Sequence, residues 1–290
     1  MAVKRIFIAG AGKIGQGIAE VAASAGIEVV ISDVNREKVA AGLKGIEESL
    51  DRAIERWGIT ASEKNSILSR IHPVMGIEST GGCEFAMEAV PEKIDLKKEL
   101  FREFDVAFDP EVILITNTST LSITEIASVT TRPDRALGMH FLYPVPRANV
   151  VELVRALKTS DRTLESAKML ASELGKRVVE VYEYPGFVTT RVIVPFINEA
   201  AHALMEGVAT AEGIDTAMKL GFGFTVGPLE LADNIGLDEV MLWMEGLFRQ
   251  LGDFKYRPCP LLRRLVREQK LGRKSGEGFH KYDAGGEGQL

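Results

Sequence analysis

Residues 3–17 read VKRIFIAGAGKIGQG, an apolar run that meets glycines at positions 10, 12 and 15 and then continues with helix-spaced apolar residues. The bulky side chains of Ile6, Phe7 and Ile8 suit a strand, the glycines suit a tight turn, and the segment from Ile14 to the stop at Gly26 suits a helix. A second strand pattern, IEVVISD, follows at 27–33 and closes on Asp33. Strand, glycine turn, helix, strand is the opening of a parallel α/β sheet.

Gly10-Ala11-Gly12-Lys13-Ile14-Gly15 fits the GxGxxG pattern in the one context that gives it a mechanism, after a strand and at a helix start. The glycines permit the turn and a close approach of backbone to pyrophosphate, and the helix N-terminus favours the anion. Taken alone, the motif is equally a glycine-rich turn without a ligand. Asp33 tips the choice, because a carboxylate ending the second strand can accept both ribose hydroxyls of an adenosine and repels a 2′-phosphate. The expectation is NAD rather than NADP, with Arg36 nearby as the one feature that argues otherwise.

The pattern continues outward from there. NREKVAAGLKGIEESLDRAIERWG is a charged amphipathic helix, and RIHPV, CEFAMEAV, VILITN, RALGMHFL, NVVELVRAL and KRVVEVY are further strands. The alternation stops at Tyr184-Pro185-Gly186, which sets domains at 1–184 and 185–290. Beyond that point every apolar pattern is helical, Pro195 should kink the first helix or mark a junction, and the tail DAGGEGQL at 283–290 reads as disordered.

Composition removes several function classes. The chain has 290 residues, a net charge of −6 and no basic cluster, so nucleic acid is not an expected partner. No apolar run reaches the roughly 20 residues that span a bilayer, and no signal-peptide pattern precedes the first strand, so the expected location is the cytoplasm. Cys83 and Cys259 are too few for a disulfide framework and lack metal-site spacing, which suits a reducing compartment and no metal.

Of four histidines, His140 is the candidate base: it ends a sheet strand, where ligands bind in such folds. His72 precedes a proline in an apparent turn, His202 lies in a long helix and His280 sits near the chain end. Glu152, an acid amid valines on a strand expected beside that of His140, is costly unless paired. An acid/base dyad and a purely structural ion pair remain equally open. After VILIT come Asn117, Thr118, Ser119 and Thr120, which either donate to a substrate or cap the next helix. Glu92 and Lys97 either serve the site or form an ordinary solvated helix pair.

GAGKIGQGIA, EAVPEKIDLKKELF, NTSTLSITEIA, GMHF, EYPGFVTTR, IDTAMKLG, GPLELADNIGLD and LGRKSGEGF occur in one order across nearly the whole length, and in this the chain resembles the L-3-hydroxyacyl-CoA dehydrogenases, close to the bacterial 3-hydroxybutyryl-CoA enzymes. The resemblance implies a Rossmann-like, mostly parallel NAD-binding sheet domain followed by an all-helical domain that binds substrate and forms a homodimer. It also implies an acyl-CoA substrate oxidised at C3. Position by position it makes His140 the base, Glu152 its partner and Ser119 a substrate and nicotinamide contact. Glu92, Lys97, Asn117, Tyr143 and Lys274 fall on cofactor positions, and Ser49 and Arg56 on CoA positions, Arg56 standing for a lysine. The chain departs from the usual pattern at Tyr143 and Thr190, each in place of an asparagine, and at Ala148-Asn149 in place of Met-Lys. Thr190 is expected to position substrate, and the cluster of changes predicts retained dehydrogenase chemistry with a shifted acyl preference. The competing readings are a dehydrogenase of a small hydroxy acid without CoA, and an NAD-binding protein that has lost catalysis.

Overall fold

The computed structural model describes residues 3–77 and 81–282. It divides into two compact units, Met1–Tyr184 and Pro185–Leu290. In the first, the chain forms β1 (Arg5–Ala9), α1 (Lys13–Ser24), β2 (Glu28–Asp33), α2 (Arg36–Glu55), α3 (Ala61–Leu68), β3 (Ile71–Met75), β4 (Phe85–Glu88), α4 (Ile94–Ala107), β5 (Ile113–Thr116), α5 (Ile123–Ala127), β6 (Ala136–Phe141), β7 (Val150–Arg155), α6 (Asp161–Glu173) and β8 (Arg177–Tyr182).

The eight strands make one sheet in the order β3-β2-β1-β4-β5-β6-β7-β8. Neighbours are parallel throughout, except that β7 runs antiparallel to β6. That exception has a local cause: no helix separates β6 from β7, and a parallel return needs a crossover. The order reverses between β1 and β4, so a crevice opens at their carboxyl ends, the switch point where open α/β sheets hold ligands.

Both sheet faces are covered, which explains why the central strands are buried at consecutive positions rather than at alternate ones. Ile6 and Ile8 of β1 pack with Ile18, Ala22, Ile46 and Leu170 on one face. Phe7 turns to the other, where it meets Phe101, Phe104 and Phe108, edge-on to Phe104 with ring centroids 5.8 Å apart.

The second unit comprises α7 (Thr189–Met205), α8 (Ala211–Phe222), α9 (Pro228–Ile235), α10 (Leu237–Leu251) and α11 (Pro260–Arg267). Val194, Ile197 and Ala201 of α7 share a core with Leu229, Val240, Met244, Leu247 and Leu262. α10 thus turns its main apolar stripe into its own unit.

Helix α7 runs through Pro195, so the proline lies inside the helix and marks no junction. One expectation needs correction: His72 is no turn residue but lies in β3 and meets Glu28 of β2 at 2.5 Å. His280, near the chain end, binds the buried Asp215 at 2.7 Å. The expectation for the tail at 283–290 falls outside the described residues.

Candidate active site

The glycine turn is built as its pattern requires. Gly10 has φ +107° and a Cβ there would lie 2.5 Å from the Ala89 carbonyl oxygen, while a Cβ on Gly15 would come within 1.8 Å of the Gly10 carbonyl oxygen. Both positions exclude a side chain for steric reasons. Gly12 differs, because a Cβ there meets nothing within 4 Å. It faces the open space that a backbone-bound diphosphate needs, and it caps α1 without any side chain covering the first N–H groups. Asp33 holds the turn from β2, accepting from Ala11 N at 2.8 Å with one oxygen and from Val34 N at 2.7 Å with the other. Each carboxylate oxygen keeps lone pairs for a ribose hydroxyl. The turn, its exposed N–H groups and Asp33 fit the adenosine diphosphate half of NAD.

Across the switch point, β6 and β7 pair His140 directly with Glu152. His140 Nδ1 lies 2.7 Å from Glu152 Oε2, and both side chains are buried. The other ring nitrogen, Nε2, is 3.1 Å from Ser119 Oγ. Glu152 can only accept, so Nδ1 carries the hydrogen and Nε2 presents its lone pair toward Ser119. A buried base with an oriented tautomer and an anion behind it is equipped to take a proton from a hydroxyl and hold the resulting charge.

The loop after β5 divides its labour. Asn117 Oδ1 accepts from Phe141 N at 2.8 Å, tying the end of β5 to the residue after His140. Thr118 Oγ1 and the N–H groups of Ser119 and Thr120 all donate to Glu92 Oε1, at 2.6, 3.0 and 3.0 Å. Only Ser122 caps the next helix, accepting from Glu125 N at 3.1 Å. Burial raises the Glu92 pKa, but Lys97 and these donors outweigh it and hold the carboxyl below its ordinary range. Glu92 and Lys97 are therefore not a solvated helix pair.

Lys97 is fully buried, and its Nζ sits 2.7 and 2.8 Å from the two oxygens of Glu88 and 3.3 Å from Val90 O. So enclosed, Lys97 ties Glu88 of β4 to the β4–α4 connection that carries Glu92. Glu88, which the sequence reading did not single out, also accepts from Thr116 Oγ1 of β5. Burial raises its pKa against the pull of Lys97.

The description "3-hydroxyacyl-CoA dehydrogenase, NAD binding domain" matches residues 5–184, and its "C-terminal domain" counterpart matches residues 186–282. The chain belongs to the 3-hydroxyacyl-CoA dehydrogenase family. It is 47% identical to the "Probable 3-hydroxybutyryl-CoA dehydrogenase" of Bacillus subtilis, over 98% of this chain and 99% of that one. Identity to the 3-hydroxybutyryl-CoA dehydrogenase of Bradyrhizobium diazoefficiens is 42%, over 97% and 96%. The crystal structure of (S)-3-hydroxybutyryl-CoA dehydrogenase from Ralstonia eutropha superposes with a TM-score of 0.89 at 41% identity, covering 98% of this chain and 100% of that one. The protein is accordingly an NAD-dependent oxidoreductase with a Rossmann-type sheet unit and a helical unit.

Other positions highlighted by sequence in this dehydrogenase are placed as follows. Ser49 lies in α2, where it is a hydrogen-bond partner of Glu20, and Arg56 is the exposed C-cap of the same helix. Tyr143 stands two residues past β6, half exposed. Thr190 is buried in the first turn of α7. Lys274 binds Asp238 with Nζ 2.5 and 2.6 Å from its oxygens. Among the described residues no His, Cys, Asp and Glu group could hold a metal ion, and no helix is long and apolar enough to cross a membrane.

Proposed function

We propose that the protein interconverts short-chain (S)-3-hydroxyacyl-CoA, 3-hydroxybutyryl-CoA foremost, and 3-oxoacyl-CoA. The Ser119–His140–Glu152 chain at the carboxyl ends of β5 and β6 carries this reading, together with relatives of that name over nearly the full length. Bound NAD supplies the hydride acceptor. His140 Nε2 takes the C3 hydroxyl proton as the C3–H bond gives up its electron pair, and the C3–O bond becomes a carbonyl. Glu152 balances the imidazolium charge. Ser119, on the same nitrogen, holds the substrate oxygen in line. In the reverse direction the imidazolium returns the proton to the forming alkoxide. Ser49 and Arg56 are assigned to CoA, Thr190 to substrate, and Glu92, Asn117, Tyr143 and Lys274 to the cofactor side, on the family resemblance.

The reading extends to a homodimer, supported by the exposed Leu220, Phe222 and Phe224 around the end of α8, and to the cytoplasm, supported by two unbridged cysteines. The changes at Tyr143, Ala148, Asn149 and Thr190 support a shifted acyl preference.

The deciding assay is reduction of acetoacetyl-CoA with NADH at near-neutral pH, with NADPH in parallel, followed by 3-oxoacyl-CoAs of increasing length. Turnover with NADH is expected, and His140→Ala should lower kcat about a thousandfold while leaving NADH affinity nearly unchanged. Equal turnover by variant and parent would sink the assignment of His140 as base.

A further inference from the structure

Lys13 is the first residue of α1, where a cation meets the positive end of the helix dipole, and no acidic residue in the first turn offsets it. Among the described residues its one recorded partner is an aromatic face: Nζ lies 5.5 Å from the centroid of the Tyr143 ring. A ring steadies an ammonium without cancelling its charge, unlike a carboxylate. The ring itself is carried on a fixed support. Arg147 N and Ala148 N both donate to the Pro144 carbonyl at 3.0 Å, and the buried Lys176 reaches Val145 O at 2.7 Å and Ala148 O at 2.8 Å. Val145 packs so tightly on α1 that a Cβ on Gly17 would come within 2.7 Å of it. The β6–β7 connection is thereby clamped beside the turn that binds diphosphate.

We propose that the Lys13 ammonium is a ligand of the dinucleotide diphosphate, and that Tyr143 is its positioning residue. The arrangement adds a positive charge to the uncapped N–H groups around Gly12, on the side of the turn facing the β6–β7 connection. Tyr143, one of the departures from the family's usual pattern, then serves cofactor affinity through Lys13. The inference rests on the NAD reading of the turn.

The test is NADH affinity, by fluorescence titration at low and high ionic strength, for the full-length protein and the variants Lys13→Ala, Lys13→Arg, Tyr143→Phe and Tyr143→Ala, with thermal melts to verify folding. Lys13→Ala should weaken NADH about tenfold at low salt, and the deficit should shrink as salt screens the charge. Lys13→Arg and Tyr143→Phe, which keep the cation and the ring face, should stay near the parent. Tyr143→Ala should lose part of the affinity, and adding it to Lys13→Ala should cost nothing further, the non-additivity of two residues acting as one. Adenosine, which has no phosphate, should compete equally well in the parent and in Lys13→Ala. Parent-like NADH binding by Lys13→Ala, or an equal loss toward adenosine, overturns the proposal. Failure of the unaltered protein to bind NADH would overturn the cofactor reading itself.

Discussion

Glu152 contributes one negative charge and one hydrogen bond to His140, and the two separate experimentally. Glu152→Gln keeps an acceptor for Nδ1–H and removes the charge that stabilises the imidazolium. Its kcat should fall about a hundredfold, less than the loss expected of His140→Ala, with little change in KM, as steady-state kinetics would show. An unchanged kcat would make the carboxylate a structural partner only. Both residues of this pair were legible in sequence, for a reason with wider reach: an acid inside an apolar strand demands a partner. The same reasoning applied to Glu88 in FAME shows that it too needs a partner, which the structure supplies as Lys97. Lys97 hid its burial because nothing in IDLKKELF distinguishes it from its exposed neighbours, and only the packing of α4 against β4 does.

The β1–α1 turn is an element whose glycines have unequal duties, and substitution should separate folding from binding. Gly15→Ala forces a methyl into the Gly10 carbonyl oxygen, so a marked fall in melting temperature and loss of soluble protein are expected. Gly12→Ala has room and an ordinary extended backbone, φ −73° and ψ −177°. It should fold as the parent does while binding NADH at least tenfold more weakly, because the methyl occupies the diphosphate's approach. Calorimetry paired with NADH titration checks both, and parent-like affinity in Gly12→Ala would count against backbone capture of the diphosphate. The element itself announces its form through strand, glycines and helix. Helix α3 did not, because it is short and buries only Ile67. Its signal is the capping box, in which Thr60 accepts from Glu63 N at 3.2 Å and Glu63 accepts from Thr60 N at 2.7 Å.

For the whole molecule, the sequence shows two units through the change from alternating to purely helical patterns. It does not show how the segment from Phe279 to Tyr282 is secured. Asp233, buried in α9, accepts from Phe279 N and His280 N at 2.9 Å each and from Tyr282 Oη at 2.8 Å, while Asp215 of α8 takes His280 Nε2. These are contacts between positions some 46 to 65 apart, beyond any local pattern. The hydrogen bond that His280 donates to Asp215 raises its pKa, against the opposing effect of burial. The native state therefore prefers the protonated ring, and its stabilisation is complete below the unfolded-state pKa and lost as pH rises through the higher native value. Burial raises the Asp233 pKa and pushes stability in the same direction with pH. His280→Asn should lower the melting temperature by about 4 °C at pH 6 and by clearly less at pH 9, measured by calorimetry. An equal loss at both values would mean that the contact is one of shape rather than charge.

The antiparallel return of β7 places His140 opposite Glu152 by strand pairing alone. Side chains alternate faces with each residue, so a slip of one position would turn Glu152 away and bury a carboxylate with no counterpart. On the proposed mechanism, turnover therefore reports native strand alignment, because a chain mispaired at β6–β7 loses the partner of its base.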